Sequence, residues 1–62
     1  MKIRITDHVP VEAHIRPAVG GVYEVEEIDV RAAAVRVYFI RVNGERVGVL
    51  ARECEAVREG ES

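Results

Sequence analysis

Apolar and polar residues alternate in short runs along this chain, with the period of two that is typical of β-strands. In residues 2–6, Ile3 and Ile5 alternate with polar side chains and predict a first strand with one apolar face. Valine dominates the apolar residues, and β-branched side chains favour strands. Further strands are therefore predicted over residues 22–29, 34–42, 45–50 and 54–58. Residues 51–55 are polar and too few for a stable helix, so a single helical turn is expected before the last strand.

The Asn43-Gly44 dipeptide lies between two apolar runs, which is the strongest short-range signal for a β-hairpin. A two-residue turn pairs Val42 with Glu45, Arg41 with Arg46, Ile40 with Val47, Phe39 with Gly48 and Tyr38 with Val49. One face then carries Tyr38, Ile40, Val47 and Val49, and the other carries Val37, Phe39, Gly48 and Leu50. The Phe39 ring is expected to lie over the gap left by Gly48. Both faces are apolar, so one must be covered by another part of the chain or offered to a partner.

Residues 7–21, between the first two strands, follow no regular pattern. They contain both prolines and both histidines and end in Gly20-Gly21, so an extended excursion is expected instead of a helix. Val9 and Val11 are apolar and could still reach the core. The excursion is also the segment that could cover the second apolar face of the hairpin.

Two stretches allow more than one interpretation. In residues 22–29, Val25 and Ile28 fall on opposite faces of a regular strand, and a β-bulge at Glu26-Glu27 would bring them to the same face. Residues 30–34 connect two strands without glycine or proline. Their three consecutive alanines fit either an extended strand or half a helical turn.

The order of these elements resembles the Src homology 3-like barrel. The local similarity is best over residues 47–57, where a strand that contains glycine runs into a single turn and a short closing strand. The resemblance implies an all-β, five-stranded barrel with a long irregular loop after strand 1 and a single helical turn before the last strand. It also implies core positions at Val49, Cys54 and Val57.

The chain departs from the signalling members of that family at the residues that bind ligand. Those members use a proline and a tyrosine as part of an aromatic groove for Pro-x-x-Pro peptides. This chain has Leu50 and Glu53 at those positions, and it contains no tryptophan. Recognition of polyproline peptides is therefore not expected.

A second resemblance involves residues 20–28, which read Gly20-Gly21-Val-Tyr-Glu-Val-Glu-Glu-Ile. This segment is similar to the glycine-led strand of the KOW modules of ribosomal and transcription-factor proteins, and that similarity implies nucleic-acid binding. The three glutamates of the segment depart from the pattern. The compact style of the whole chain is also similar to uncharacterised small proteins of phages and bacterial mobile elements.

The composition is that of one small domain, expected over residues 1–58 and followed by a frayed tail at residues 59–62. Nine basic and eleven acidic residues give a net charge of -2, without the basic excess of a nucleic-acid binder. The single cysteine, Cys54, excludes an internal disulfide. No segment is long and apolar enough to cross a bilayer, and the N-terminus lacks the apolar run of a secretory signal. A cytoplasmic location is therefore expected.

Side chains that could carry chemistry are few and scattered. His8 and His14 lack the close-spaced partners of a zinc site and are interpreted as loop surface residues. Cys54 lies between two glutamates, which disfavour a reactive thiolate, so a buried structural cysteine is expected. A solvated strand face explains the acidic residues Glu24, Glu26, Glu27 and Asp29. With no catalytic triad or phosphate-binding loop, we expect no enzyme activity, no cofactor and no metal.

The arginines give the hypotheses about partners. Arg41 and Arg46 are predicted to face each other across the hairpin, where like charges repel unless a carboxylate, a partner or a phosphate compensates. The leading hypothesis is a non-enzymatic protein-binding or assembly module that contacts an unidentified protein or a second copy through Val37, Phe39, Leu50, Arg41 and Arg46. The alternative is a KOW-like nucleic-acid-binding module that uses Arg31, Arg36, Arg41, Arg46 and Arg52.

Overall fold

A computed structural model of the chain describes residues 1–58. The described strands are β1 (Lys2–Ile5), β2 (Val22–Glu24), β3 (Glu27–Val30), β4 (Arg36–Val42), β5 (Glu45–Leu50) and β6 (Cys54–Val57). Single 3₁₀ turns lie at Ala13–Ile15, Ala32–Ala34 and Ala51–Glu53. The tail that was predicted at residues 59–62 lies outside the described residues.

The strands of residues 1–58 form two separate antiparallel sheets of three strands, in the orders β2-β1-β6 and β3-β4-β5. The expected five-stranded barrel is therefore wrong, because six strands lie in two sheets that do not close into a barrel. The physical reason is a break in the strand that was predicted over residues 22–29. Its first half pairs with β1 and its second half pairs with β4.

The change of partner takes place between Val25 and Glu26. The Val25 amide donates to the carbonyl of Met1 at 2.8 Å, whereas the Glu26 amide donates to the carbonyl of Phe39 at 2.8 Å. Glu27 also pairs with Phe39, so two consecutive residues lie opposite one. This is the arrangement of a β-bulge, at the position where the sequence pattern allowed one. The bulge lets one extended segment leave the first sheet and enter the second.

The hairpin register agrees with the prediction at every pair, from Tyr38 opposite Val49 to Val42 opposite Glu45. Asn43 and Gly44 have φ angles of 49° and 81°, both in the left-handed region that this type of turn requires. The turn therefore determines which residues of β4 and β5 share a face.

The core lies on the Tyr38 face of the hairpin. Its buried residues are Ile3, Ile5, Val9, Tyr38, Ile40, Val47 and Val49. Val11 and Ile15 are partly buried against this cluster. The excursion over residues 7–21 thus packs on the inner face, where the sequence allowed Val9 and Val11 to reach the core, and it does not cover the other face of the hairpin.

Two polar contacts hold the excursion against the tip of the hairpin. The side-chain amide of Asn43 donates to the backbone carbonyl of His14. His14 Nε2 also lies 3.3 Å from a carboxylate oxygen of Glu45. His14 itself is exposed, in agreement with its interpretation as a loop surface residue.

The predicted turn before the last strand is confirmed, and the buried residue Glu53 holds it in place. The Glu53 side chain accepts a hydrogen bond from the Leu50 amide at 3.0 Å. Its backbone carbonyl accepts from the amides of Thr6 and Asp7 at 2.9 and 3.2 Å. Glu53 therefore ties the end of β5 to the start of the excursion.

Candidate functional site

The sheet β3-β4-β5 has an inner face toward the core and an outer face on the opposite side. The outer face contains the apolar residues for which the sequence predicted a partner. Val37 is 7% exposed, while Phe39 and Leu50 are half-buried. Val37 Cγ1 and Phe39 Cε1 lie 3.1 and 3.3 Å from the position that a Cβ on Gly48 would occupy. The predicted packing of Phe39 over Gly48 is thus confirmed. Val37 shares that packing and offers little accessible surface to a partner.

Arg46 covers the Phe39 ring from the solvent side. Its guanidinium carbon lies 4.6 Å from the ring centroid, within the range of a cation–π interaction. The same guanidinium pairs with the carboxylate of Glu27, which lies opposite Phe39 on β3. Arg46 thus reaches across the central strand, and much of the Phe39 ring is closed to a partner.

Arg41 has a carboxylate partner of its own. Its Nη2 atom lies 3.2 Å from Glu26 Oε1, and its Nη1 atom donates to the carbonyl of Gly44 at 2.9 Å. The repulsion expected between Arg41 and Arg46 is therefore offset within the chain by one carboxylate for each arginine. Of the three compensating groups that the sequence allowed, the structure shows the carboxylate.

The arginines predicted for nucleic-acid binding fall into two groups. Arg31 pairs with Asp29 at 3.3 Å, in the same way as Arg41 and Arg46 pair with glutamates. Arg36 and Arg52 are exposed and form no ion pair within residues 1–58. Of these five arginines, the two without an ion pair in residues 1–58 therefore lie away from the tip of the hairpin.

An open groove of about 450 Å³ lies where β5 ends, lined by Val35, Leu50, Ala51 and Arg52. Its walls are mainly apolar, and Val35 is 44% exposed. The sequence singled out Leu50 and Arg52 but missed Val35 and Ala51 as surface residues. The signal for Val35 was present, since it shares the strand parity of Val37 and Phe39. Ala51 had no comparable signal, because the turn after β5 places it in the groove.

The surroundings of the other potentially reactive or metal-binding side chains do not favour such roles. Burial and, to a lesser extent, the nearby Glu53 carboxylate raise the pKa of the Cys54 thiol, which keeps it protonated and a poor nucleophile. Within residues 1–58, no three histidine, cysteine, aspartate or glutamate side chains are grouped to hold a metal ion. In the same range, no helix is long and apolar enough to span a bilayer. The acidic residues of the second predicted strand are exposed. Glu24 lies 3.4 Å from the N-terminal amine of Met1, and the other three lie beside the arginines already described.

No protein-family model matches this chain, and no curated protein or solved structure matches it either. The resemblances drawn from the sequence therefore stay predictions.

Proposed function

We propose that this protein is a non-enzymatic binding module that accepts an extended segment of another protein in the groove at the end of β5. The observation that supports this most is the pairing of an apolar wall with a cation. Val35 and Leu50 supply apolar surface, and Arg52 lies beside them without an acidic partner in residues 1–58. An apolar side chain next to a carboxylate would match both features.

The groove exposes apolar surface to water, and burial of that surface would stabilise a bound segment. An apolar side chain that enters it removes its own surface and that of Val35 from water, at about 25 cal/mol for each Å² buried. A volume of about 450 Å³ is in the range of pockets that hold small ligands or one large side chain. Arginine recognises a carboxylate with two parallel hydrogen bonds, which adds orientation to the apolar contact. The preferred segment therefore carries one large apolar and one acidic residue.

The proposed partner contact lies at the end of β5 and not at the tip of the hairpin. Arg41 and Arg46 at the tip are already engaged by glutamates, and Arg46 covers Phe39. Leu50 is the residue of the predicted set that remains at the surface of the groove. The nucleic-acid alternative has less support, because three of its five arginines lie beside carboxylates.

A display selection from a random peptide library, followed by affinity measurement on the enriched peptides, tests the proposal. We expect enriched peptides to share an apolar residue near an acidic one. Arg52→Glu should weaken their binding by about tenfold or more, which corresponds to about 1.4 kcal/mol. Arg36→Glu is the matched control, because Arg36 is also exposed and without an ion pair in residues 1–58.

Two results would contradict this function. One is a selection that enriches no peptide for the wild-type protein over the Val35→Asp variant. The other is an equal loss of binding in Arg36→Glu and Arg52→Glu, since that would indicate general attraction between opposite charges instead of a site.

A further inference from the structure

The outer edge of β3 pairs with no strand of residues 1–58. All four residues of β3 are exposed, although Ile28 lies opposite the core residue Tyr38. Ile28 is 46% exposed and Val30 is 61% exposed, and both are on the inner-face side of the sheet. An edge strand with exposed apolar side chains is a template for pairing with another strand.

The hydrogen-bond pattern of β3 shows which of its backbone groups are available. The Arg31 amide donates to the Val35 carbonyl at 2.7 Å, which makes this pair a hydrogen-bonded one. Hydrogen-bonded and non-hydrogen-bonded pairs alternate along an antiparallel ladder. The backbone groups of Ile28 and Val30 therefore point away from β4, toward the open edge.

We propose that a second copy of this chain occupies this edge, with the two β3 strands antiparallel and Asp29 of one copy opposite Asp29 of the other. This register sets Ile28 opposite Val30 of the second copy, so their outward backbone groups bond to each other. Symmetry gives two such pairs, so Ile28 and Val30 of both copies bring four exposed apolar side chains together. The result is a continuous six-stranded sheet across a two-fold axis.

The charges of β3 favour this register over one of its two neighbours, and the turn after β3 disfavours the other. It sets Glu27, which also pairs with Arg46 of its own chain, opposite Arg31 of the second copy, twice, on the outer face of the joined sheet. The central Asp29 pair is flanked by two arginines, since each Arg31 lies 3.3 Å from the Asp29 of its own chain. Moving the second strand so that Ile28 faces Ile28 would set Glu27 opposite Asp29, where like charges repel. Moving it the other way would require Ala32, which lies in a 3₁₀ turn.

Sedimentation velocity over a range of protein concentrations tests the association. We expect a reversible monomer–dimer equilibrium in the micromolar range for the wild-type protein. Val30→Lys should raise the dissociation constant by about tenfold or more, because it removes apolar contacts and adds two charges at the joint. Val19→Lys is the matched control, since Val19 is 62% exposed and lies in the excursion. A protein that stays monomeric at millimolar concentration, or an equal effect of the two variants, would overturn the proposal.

A disulfide cross-link tests the register. In a Cys54→Ser background, Asp29→Cys places two thiols on directly opposite residues of a non-hydrogen-bonded pair, with Cα atoms about 4.5 Å apart. Glu27→Cys is the control, because two Glu27 positions would lie about four residues, or roughly 13 Å, apart along the joined strands. We expect a covalent dimer for Asp29→Cys alone. Equal cross-linking of both variants would show a different register, and cross-linking of neither would refute edge pairing. These measurements are independent of peptide binding at the groove.

Discussion

The two faces of the β4–β5 hairpin have nearly the same apolar content but different surroundings. On the inner face, Ile40 and Val49 have no exposed surface, because β1 and the excursion cover them. On the outer face, Phe39 is half-buried beneath Arg46, which β5 itself supplies. The inner face is therefore closed by distant parts of the chain, and the outer face is closed by its own side chains.

This difference indicates that the inner face contributes most of the stability and that the outer face can contain a binding surface. Apolar residues that are covered by other elements contribute to unfolding cooperativity, and their loss leaves a cavity. Apolar residues that are covered by a charged side chain can be uncovered by a rotamer change. The groove at Val35 and Leu50 continues the outer face at the end of β5, away from the Arg46 lid on Phe39.

The largest expected effect comes from truncation of one residue on each face. Ile40→Ala should lower the free energy of unfolding by about 2 to 5 kcal/mol, as is typical of a fully buried side chain. Phe39→Ala should cost about 1 to 2 kcal/mol, because the ring is only half-buried and its cover can move. Urea denaturation followed by circular dichroism measures both. An equal cost would show that the outer face is core as well.

Glu53, which ties the end of β5 to the start of the excursion, gives the next largest effect. Glu53→Ala should destabilise the protein by about 1 to 3 kcal/mol, since it leaves the Leu50 amide without its acceptor in a part-buried position. Glu53→Gln retains an acceptor oxygen and serves as the control, with a smaller expected loss. If both substitutions cost the same in thermal or urea unfolding, the carboxylate charge matters more than the hydrogen bond.

The arginine lid on Phe39 is expected to contribute less than about 1 kcal/mol, as is usual for exposed ion pairs. A double-mutant cycle with Arg46→Met and Glu27→Gln measures the coupling between these residues. The coupling should weaken as salt is added, because the pair is exposed. Arg36→Met is the control without an ion-pair partner in residues 1–58. A coupling that is indistinguishable from zero at low salt would mean that Arg46 does not hold the outer face closed.

Cys54, which is partly buried against the core, gives the smallest effect on stability. Its pKa is raised above the ordinary value of 9.0 by burial and by Glu53, so the folded state favours the neutral thiol. The stabilisation is fully present below the ordinary thiol pKa and is lost as the pH rises above it. The stability of the wild type relative to Cys54→Ser should thus be constant near neutral pH. It should decrease at alkaline pH. A difference that stays constant into the alkaline range would contradict this environment.

The same assignment predicts slow alkylation of the thiol. Folded protein at neutral pH should react with iodoacetamide more slowly than protein unfolded in urea, because the thiolate is the reactive form. Equal rates, measured by mass spectrometry, would show that Cys54 is freely accessible in the folded state.

The local features of the fold could be predicted because short-range geometry sets them. Asn43-Gly44 determined the turn, and the turn with the period of two determined every pair of β4 and β5. The bulge opposite Phe39 and the turn before β6 were likewise visible in the residue pattern. The exchange of sheets at Val25 was not visible, because it depends on which distant strand pairs with each half of the segment.

The candidate groove could be predicted only in part, for a related reason. Leu50 and Arg52 were singled out for their residue types, and the structure places them beside Val35. The sequence did not show that the arginines at the hairpin tip pair with carboxylates, since the strand pairing that supplies these carboxylates connects residues far apart in the sequence. Charge along a chain does not show which charges neutralise each other in the folded state.

By itself, the sequence determined a β protein with a fixed hairpin register and two apolar faces on that hairpin. Only the tertiary structure decided that Tyr38 faces inward, that Phe39 faces outward, and that the strands form two open sheets. The physical reason is that alternation and turn chemistry act over neighbouring residues, whereas the choice of the buried face depends on what β1 and the excursion can cover. That choice involves contacts between residues far apart in the chain, and no local pattern encodes it.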